Sequence, residues 1–371
     1  MNRNIESAVQ YHYGKFPPKN IDYTQFIQQL LLATDALARF DQMLKNLHNN
    51  EILLAPLRNQ EAVISSRIEG TISTMDQILQ YQADNIIETS TDLKSDVIET
   101  ILYERTLKNA QSAIEDGYEI SSYFIQQMHQ QLLSHGRGAS KSPGAFKTEQ
   151  NYLADKFKRK IEFIPINPEK LQEGLDNLFH FLKTSNYPLL IKVALAHLEF
   201  EALHPFQDGN GRIGRMLITL LLWKEGALSH PHFYISRYFE EYKTAYIETM
   251  RQVSENENWN QWLVFFLTAV EQQAIQNLQI AENIKNLYEE MKEIFTDLLS
   301  SKWSLHALDF VFTHPIFRNN KFTSSSGIPT ATATILSKKL VEAGYLTEKE
   351  PASGRRAALY SFEPLMQLVR V

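Results

Sequence analysis

Helical spacing of apolar residues runs through most of the chain, and this pattern restricts the fold more than any other feature of the sequence. Before residue 300, one strand signal stands out: Asn151-Tyr-Leu and Ile161-Glu-Phe-Ile164 flank a charged turn at residues 155–160 and predict a hairpin. We therefore expect an all-α fold with one short hairpin. The segments with a period near 3.6 are residues 26–47, 64–81, 95–114, 121–134, 171–182, 189–203, 211–223 and 259–291.

The last seventy residues have a different character. Their predicted elements, in order, follow the pattern of a winged helix-turn-helix, a small α+β domain. From residue 301 onward nine Lys/Arg stand against five Asp/Glu, so this tail carries +4 although the whole chain carries −6. The predicted elements are a helix at 304–312, a turn-helix after Phe322, a helix at 329–343, and strands at 345–349 and 357–362 around the loop 350–356.

Composition excludes several kinds of chemistry and of partner. The chain has no cysteine, which excludes disulfides, thiolate nucleophiles and cysteine-ligated metals. No leader pattern opens the sequence and no run approaches the roughly 20 apolar residues of a membrane span, so we expect a soluble, cytoplasmic protein without membrane contact. The net charge of −6 argues against non-specific polyanion binding by the whole molecule.

A glycine-containing loop at residues 204–215 carries the strongest functional signal, with the sequence His-Pro-Phe-Gln-Asp-Gly-Asn-Gly-Arg-Ile-Gly-Arg. Gly209-Asn210-Gly211 leads directly into a helix, and backbone N–H groups at a helix start attract phosphate oxygens. Arg212 and Arg215 share one face of that helix, which favours a polyphosphate. The loop is therefore predicted to bind a nucleotide.

Two further side chains of the loop fit nucleotide chemistry. Asp208 supplies a hard oxygen, and Mg²⁺ commonly takes one or two carboxylates together with nucleotide phosphates. His204 lies just before the glycines, where an imidazole with an ordinary pKa near ~6.5 suits the removal of a proton from an attacking hydroxyl. ATP with Mg²⁺, and a general base at His204, are the predictions.

The loop also resembles a known family, because His-Pro-Phe-x-Asp-Gly-Asn-Gly-Arg-x-x-Arg is the signature of the Fic/DOC family and every position is filled. The resemblance implies transfer of AMP from ATP to a Ser, Thr or Tyr hydroxyl of a target protein or of the enzyme itself, with release of pyrophosphate. His204 would be the catalytic base and Asp208 the metal ligand. The implied nucleotide contacts are Glu69, His204, Gly209, Asn210, Gly211, Arg212, Ile213, Gly214, Arg215 and Tyr246.

The hairpin resembles the flap of these proteins, whose exposed edge holds a target segment by strand addition; an ordinary surface hairpin is the alternative. Lys147 stands where relatives often have Arg. Tyr246 is a weak candidate for the base pocket, since tyrosines four residues apart on a helix more often pack in a core.

A second motif lies far upstream. Residues 65–70, Ser-Ser-Arg-Ile-Glu-Gly, resemble the inhibitory motif Ser/Thr-x-x-x-Glu-Gly/Asn of Fic proteins. By resemblance, Ser65, Glu69 and Gly70 would belong to an inhibitory helix, and Glu69 would pair with Arg215 in place of the γ-phosphate. A solvent-facing glutamate is the alternative.

Several alternatives remain open on the sequence. The basic helix at 329–339 and the wing residues Arg355 and Arg356 allow DNA binding, with a Fic core that senses ATP, or only protein docking. Removal of AMP with the help of Glu69, transfer of another phosphate-containing group and a homodimer are further possibilities. The expected division is a helical amino-terminal region (1–100), the Fic core (101–275), a helical linker (276–300) and the winged helix-turn-helix (301–371).

Overall fold

A computed structural model describes residues 7–47, 50–84, 92–154 and 160–371, and these residues are mostly helical, as the spacing predicts. None of the helices in these ranges is both long enough and apolar enough to cross a membrane. The amino-terminal helices are α1 (Ile27–Lys45), α2 (Asn50–Ile68), α3 (Met75–Asp84), α4 (Asp92–Glu115) and α5 (Ser122–Leu132). The central helices are α6 (Pro168–Thr184), α7 (Leu189–Leu203), α8 (Asn210–Lys224), α9 (Ser236–Glu241), α10 (Lys243–Asn256) and α11 (Trp259–Leu299).

Helix α7 forms the centre of the core. It is apolar around most of its circumference, and such a helix is stable only when neighbours cover every side. Helices α6, α8 and α11 pack against it, while α1 lies along α11. Because α7 ends at Leu203, the loop that begins at His204 emerges from a buried part of the core.

The predicted helix at 64–81 is wrong in one respect, because it is two helices. Gly70 adopts φ +91, and the N–H of Thr71 returns to the carbonyl of Ser66, so the chain turns after α2. Helix α3 then starts with a reciprocal cap, in which Thr74 Oγ1 accepts from the N–H of Gln77 and Gln77 Oε1 accepts from the N–H of Thr74. Both groups of bonds satisfy helix-end groups that a continuous helix would not expose.

The predicted hairpin is present as β2 (Leu153–Ala154) and β3 (Ile161–Ile164), which pair antiparallel. The predicted turn covers residues 155–160, and of these residues 155–159 lie outside the described residues. A strand that the sequence did not indicate, β1 (Val9–Gln10), pairs parallel to β3. Since the order is β1-β3-β2, β3 is paired on both sides and β2 has the outer edge of the hairpin.

The carboxy-terminal residues form an α+β unit on the end of α11. Its sheet has three antiparallel strands, in the order β4 (Ile316–Arg318), β6 (Leu359–Ser361) and β5 (Thr347–Glu350), and strand β4 was not predicted. The Phe310 ring packs edge-to-face against Phe317 and Phe322, whose own rings are tilted by 31° to each other. The elements are α12 (Ser304–Thr313), β4 (Ile316–Arg318), α13 (Asn319–Ser325), α14 (Thr330–Glu342), β5 (Thr347–Glu350), β6 (Leu359–Ser361) and α15 (Glu363–Val369).

Basic side chains of this unit meet acidic side chains of α3. Asp84 pairs with Arg318 at 2.6 Å and with Arg356 at 2.8 Å. At the other end of α3, Asp76 accepts two bonds from Arg370, at 2.9 and 3.1 Å. The positive charge of the tail therefore serves, in part, to hold the helix that follows α2.

Candidate active site

Two left-handed residues delimit the loop between α7 and α8. His204 ends α7 with φ 47, an uncommon conformation for a residue other than glycine, and Gly209 precedes α8 with φ 77. Gly211 and Gly214 lie in the first turns of α8. The N–H groups at this helix start and the imidazole of His204 thus belong to one short loop, as the signature predicts.

Phe206 and Asn210 close the loop from inside. The side chain of Asn210 accepts from the N–H of Phe206 and donates to its carbonyl, both at 2.8 Å. The Phe206 ring is buried and lies parallel to the His129 ring, with 3.8 Å between centroids. The Asn210 side chain is therefore used to shape the loop, and the predicted nucleotide contact of this residue would come from its backbone.

His129 is a support that sequence reasoning missed. Its Nδ1 accepts from the N–H of Gly144 at 2.9 Å, so its Nε2 carries the hydrogen and donates to the carbonyl of Asp208 at 2.9 Å. Burial lowers the pKa of His129 to about 4, which keeps the ring neutral and this pattern fixed. No motif in the sequence marks this histidine.

The protonation state of His204 suits a general base. Burial, helped by the charge of Lys147, lowers the pKa of His204 to about 4, so the ring is neutral near pH 7. Nδ1 lies 3.3 Å from the carbonyl oxygen of Glu201, which can only accept, so Nδ1 carries the hydrogen. The lone pair is then on Nε2, where a proton can be taken up.

The carbonyl oxygens of residues 203–206 all accept hydrogen bonds from residues 147–151, ahead of the hairpin. Asn151 also receives a bond, through its Oδ1, from Lys147 Nζ at 2.9 Å. The main chain around His204 is thereby held on the flap side. The four bonds run from Lys147 Nζ to Leu203 (2.9 Å), from Asn151 Nδ2 to His204 (3.1 Å), from the N–H of Lys147 to Pro205 (2.8 Å) and from Asn151 Nδ2 to Phe206 (3.0 Å).

Arg212 is buried with a guanidinium that the protein only partly satisfies. Its nearest carboxylates are Glu99, at 3.7 Å from Nη1, and Asp208, at 3.7 Å from Nη2. Within the described residues, Nε and Nη1 have no hydrogen-bond partner. Buried guanidinium groups are costly unless they bind anions, so this side chain fits a phosphate ligand.

Arg215, by contrast, is bound by α2 through two of its guanidinium nitrogens. Its Nε donates to Ser65 Oγ at 2.8 Å, and its Nη2 donates to the Ser65 carbonyl at 2.9 Å and to Glu69 Oε1 at 2.7 Å. Burial works against both charges, but the pairing prevails: it raises the pKa of Arg215, and Arg215 lowers the pKa of Glu69. The ion pair between Glu69 and Arg215 that the resemblance implied is present.

The two partners differ in exposure. The Arg215 side chain is 1% exposed and that of Glu69 is 36% exposed. Ser65 would still bind the guanidinium if the carboxylate turned outward into water. Glu69 is consequently the partner that can leave the pair.

Missing side chains at two glycines make room for carboxyl groups. A Cβ at Gly211 would lie 2.3 Å from Glu69 Oε1, and a Cβ at Gly214 would lie 2.3 Å from Glu201 Oε1. Glu201 is a second residue that sequence reasoning missed. Burial raises its pKa to about 8, so it is mostly protonated at pH 7 beside Arg215.

The remaining predicted residues are placed as follows. Tyr246 is buried, donates to His197 Nε2 at 2.8 Å and stacks on Phe239 at 4.3 Å, so its main contacts are with the core. The Ile213 side chain is wholly buried on α8, and only its backbone faces the loop. Asp208 lies beside the glycines and accepts from the N–H of Gly209 at 2.7 Å. Within the described ranges, no group of three or more His, Asp or Glu is arranged to hold a metal.

Comparison with known proteins now decides the family. The Fic/DOC family model matches residues 119–222, and the Fic/DOC family N-terminal model matches residues 27–112. The chain belongs to the Fic/DOC family. A Fic family protein from Desulfovibrio desulfuricans G20 shares the fold, with a TM-score of 0.60 at 16% identity over 93% of this chain and 98% of that one.

Curated Fic relatives match at low identity. "Protein adenylyltransferase fic-1" of Caenorhabditis elegans is 32% identical over 111 residues, which are 29% of this chain and 20% of the relative. A "Probable protein adenylyltransferase" of Aquifex aeolicus is 26% identical over 185 residues, which are 48% of this chain and 52% of the relative. The chain therefore spans between a fifth and about half of the length of these relatives.

Proposed function

We propose that the chain is a protein adenylyltransferase whose activity is restrained by Glu69. The observation that carries the proposal is a neutral His204, with its lone pair on Nε2, next to a helix start that bears the buried Arg212. Among the residues that the structure describes, two guanidinium nitrogens of Arg212 have no hydrogen-bond partner. A base and an anion site in one loop suit attack by a hydroxyl on a nucleotide phosphate.

In the proposed reaction, Nε2 of His204 takes the proton of a Ser, Thr or Tyr hydroxyl. The hydroxyl oxygen bonds to the α-phosphorus of ATP, the bond from that phosphorus to the bridging oxygen breaks, and pyrophosphate leaves. The N–H groups of residues 209–211 and the guanidinium of Arg212 offset the phosphate charge. These groups are fixed before the substrate arrives, which spares reorganisation during the reaction.

Asp208 is the residue that would hold Mg²⁺. A single half-exposed carboxylate next to a phosphate site fits an ion that takes most of its ligands from water and phosphates. When bound, Mg²⁺ would neutralise charge on the phosphates. The chain's own contribution is the position of Asp208, which the carbonyl bond from His129 and the N–H of Gly209 fix.

The proposed restraint follows from the geometry around Arg215. In the relatives this arginine would meet the outer phosphates, yet here Ser65 and Glu69 occupy it. A carboxylate and a phosphate cannot share the same guanidinium edge, so ATP would bind without its productive phosphate contacts. Because Glu69 is the more exposed partner, its outward rotation would release the site.

The carboxy-terminal unit combines helices with a three-stranded antiparallel sheet, and we propose that it is a winged helix-turn-helix that serves packing and protein contact rather than DNA binding. Arg356 of the predicted wing is paired with Asp84, and Arg318 and Arg370 also pair with acidic residues. Positive charge that already has intramolecular partners contributes little to phosphate binding. A salt-sensitive gel shift at low protein concentration would instead favour the DNA-sensing alternative.

One experiment tests the transferase proposal against other transfers. The Glu69→Gly variant is incubated with ATP labelled at either the α- or the γ-phosphate, and the protein is then examined by mass spectrometry. We expect label from the α-phosphate only and a mass gain of one AMP on the chain itself or on a captured target. Label from the γ-phosphate would mean phosphate transfer, and no label from either position would contradict the proposal.

A further inference from the structure

We propose that Lys147 and Asn151 are positioning residues that hold His204 in its reactive geometry by binding the four consecutive carbonyl oxygens of residues 203–206. This inference rests on the proposed transferase function, in which His204 is the base. It concerns residues that lie outside the signature loop, and it assigns a role to the lysine that stands where relatives often have arginine.

The carbonyls in question need partners from elsewhere. The last carbonyl groups of a helix have no N–H within that helix, and α7 ends immediately before His204. His204 itself is left-handed, and a strained backbone persists only when the surroundings determine it fully. Two residues, four positions apart, supply these four bonds, so a small shift of this segment would move the imidazole.

Burial of Lys147 costs more free energy than a purely structural support of the main chain would require. It is 4% exposed, and within the described residues its Nζ donates to two neutral oxygens, those of Leu203 and Asn151. Burial lowers its pKa to about 7. Its charge also helps to lower the pKa of His204, so the same side chain fixes the main chain and keeps the base neutral.

Three charged groups around His204 change the pKa of its imidazole. Lys147 lies on the flap side, while Glu69 and Asp208 act in the opposite direction and raise the pKa of the imidazole. The carbonyl of Glu201 holds Nδ1. Among these groups, Lys147 is the cation that opposes protonation of the ring.

The same segment leads into the flap. Asn151 precedes β2 by two residues, and the neighbouring Gln150 donates to the carbonyl of Pro165, just after β3, at 3.0 Å. The position of the hairpin and the position of His204 are therefore linked through adjacent residues. A target segment added to the outer edge of β2 would be aligned with the base by this link.

The test compares kcat with KM in the Glu69→Gly background, where turnover is measurable. We expect Lys147→Met and Asn151→Ala each to lower kcat by about 10–100-fold, while KM for ATP changes by less than about 3-fold, because misplacement of a reacting group affects the chemical step. Lys147→Arg, which keeps a charged donor, should retain most of kcat. Lys141→Met, an exposed lysine in the same segment, is the matched control.

A second measurement does not depend on turnover. NMR titration of His204 should show a higher pKa in Lys147→Met than in the parent or in Lys141→Met, because the nearby positive charge is gone. If Asn151→Ala unfolds, Asn151→Asp keeps the volume but replaces the donor, and it should also lower kcat. Unchanged kcat together with an unchanged pKa of His204 in Lys147→Met would overturn the proposal. If the protein transfers no AMP, the transferase function fails, and an unchanged pKa of His204 in Lys147→Met then overturns the role of Lys147 on its own.

Discussion

The loop at residues 204–215 is held from two sides, and the two supports act on different parts of it. On the flap side, Lys147 and Asn151 bind main-chain carbonyls and leave the side chains of the loop available. On the α2 side, Ser65 and Glu69 bind the side chain of Arg215, the group that would meet phosphate. Support of the backbone is compatible with a reaction, whereas capture of a side chain competes with the substrate.

The largest change in the rate of AMP transfer should come from removal of the His204 imidazole, whose main chain is held from the flap side. His204→Ala, tested in the Glu69→Gly background, should lower AMP transfer by about 10²–10⁴-fold because the proton acceptor is lost. ATP affinity, measured by calorimetry, should change little. Equal labelling with and without the imidazole would remove His204 from the mechanism.

Removal of the Glu69 carboxylate, on the α2 side, should raise the rate of self-modification instead of lowering it. Glu69→Gly should raise self-modification by about 10–100-fold, since a charge-assisted hydrogen bond that competes with phosphate is worth roughly 1.5–3 kcal/mol. Glu69→Gln, which keeps the shape but not the charge, should give an intermediate rate. Glu240→Gln, on a nearby carboxylate paired with Arg67, is the control and should leave the rate unchanged.

The two arginines sharpen the same comparison. Arg212→Gln should weaken ATP binding by about 10-fold in both the parent and the Glu69→Gly background, because Arg212 is available for phosphate in each. Arg215→Gln should weaken binding only when Glu69 is absent, since Glu69 otherwise occupies it. Isothermal calorimetry on the four arginine variants and the two background proteins checks this, and a loss of equal size for both arginines in the parent would contradict the restraint.

The smallest change in the rate of self-modification should come from the contacts between α3 and the carboxy-terminal unit. Asp76→Asn removes the ion pair between α3 and Arg370 of the carboxy-terminal unit, and a pair of this partly exposed kind contributes about 0.2–1 kcal/mol. We expect the self-modification rate of the parent to rise about 2–5-fold and that of Glu69→Gly to stay constant. Glu342→Gln, in an exposed pair within α14, is the control.

The sequence predicted the parts of this site that rest on local rules. The loop sequence predicts a left-handed glycine, which is Gly209, and a helix start, and the motif at residues 65–70 predicts the pairing of Glu69 with Arg215. The break after α2 also has a local signal, because Thr74-Met-Asp-Gln77 is a capping-box pattern that marks a helix start.

Other parts depend on contacts between distant segments and have no local signal. Strand β1 is two residues long and forms only because β3, about 150 residues later, offers an edge. The role of Asn151 depends on where the end of α7 lies in space, and Glu201 looks like any helical glutamate until Gly214 is seen against it. Tyr246 and its buried partner His197 likewise meet only in the folded core.

The length of helix α11 affects how the carboxy-terminal unit is connected to the core. Its 41 residues run without a break for about 60 Å, and it carries the carboxy-terminal unit at its far end. Ion pairs also join this unit to α3, so the unit is attached to the rest of the molecule at two places. A displacement of the carboxy-terminal unit would therefore move α3 and the turn that bears Glu69. Binding of a partner to the carboxy-terminal unit would in this way change the position of Glu69 at the nucleotide loop.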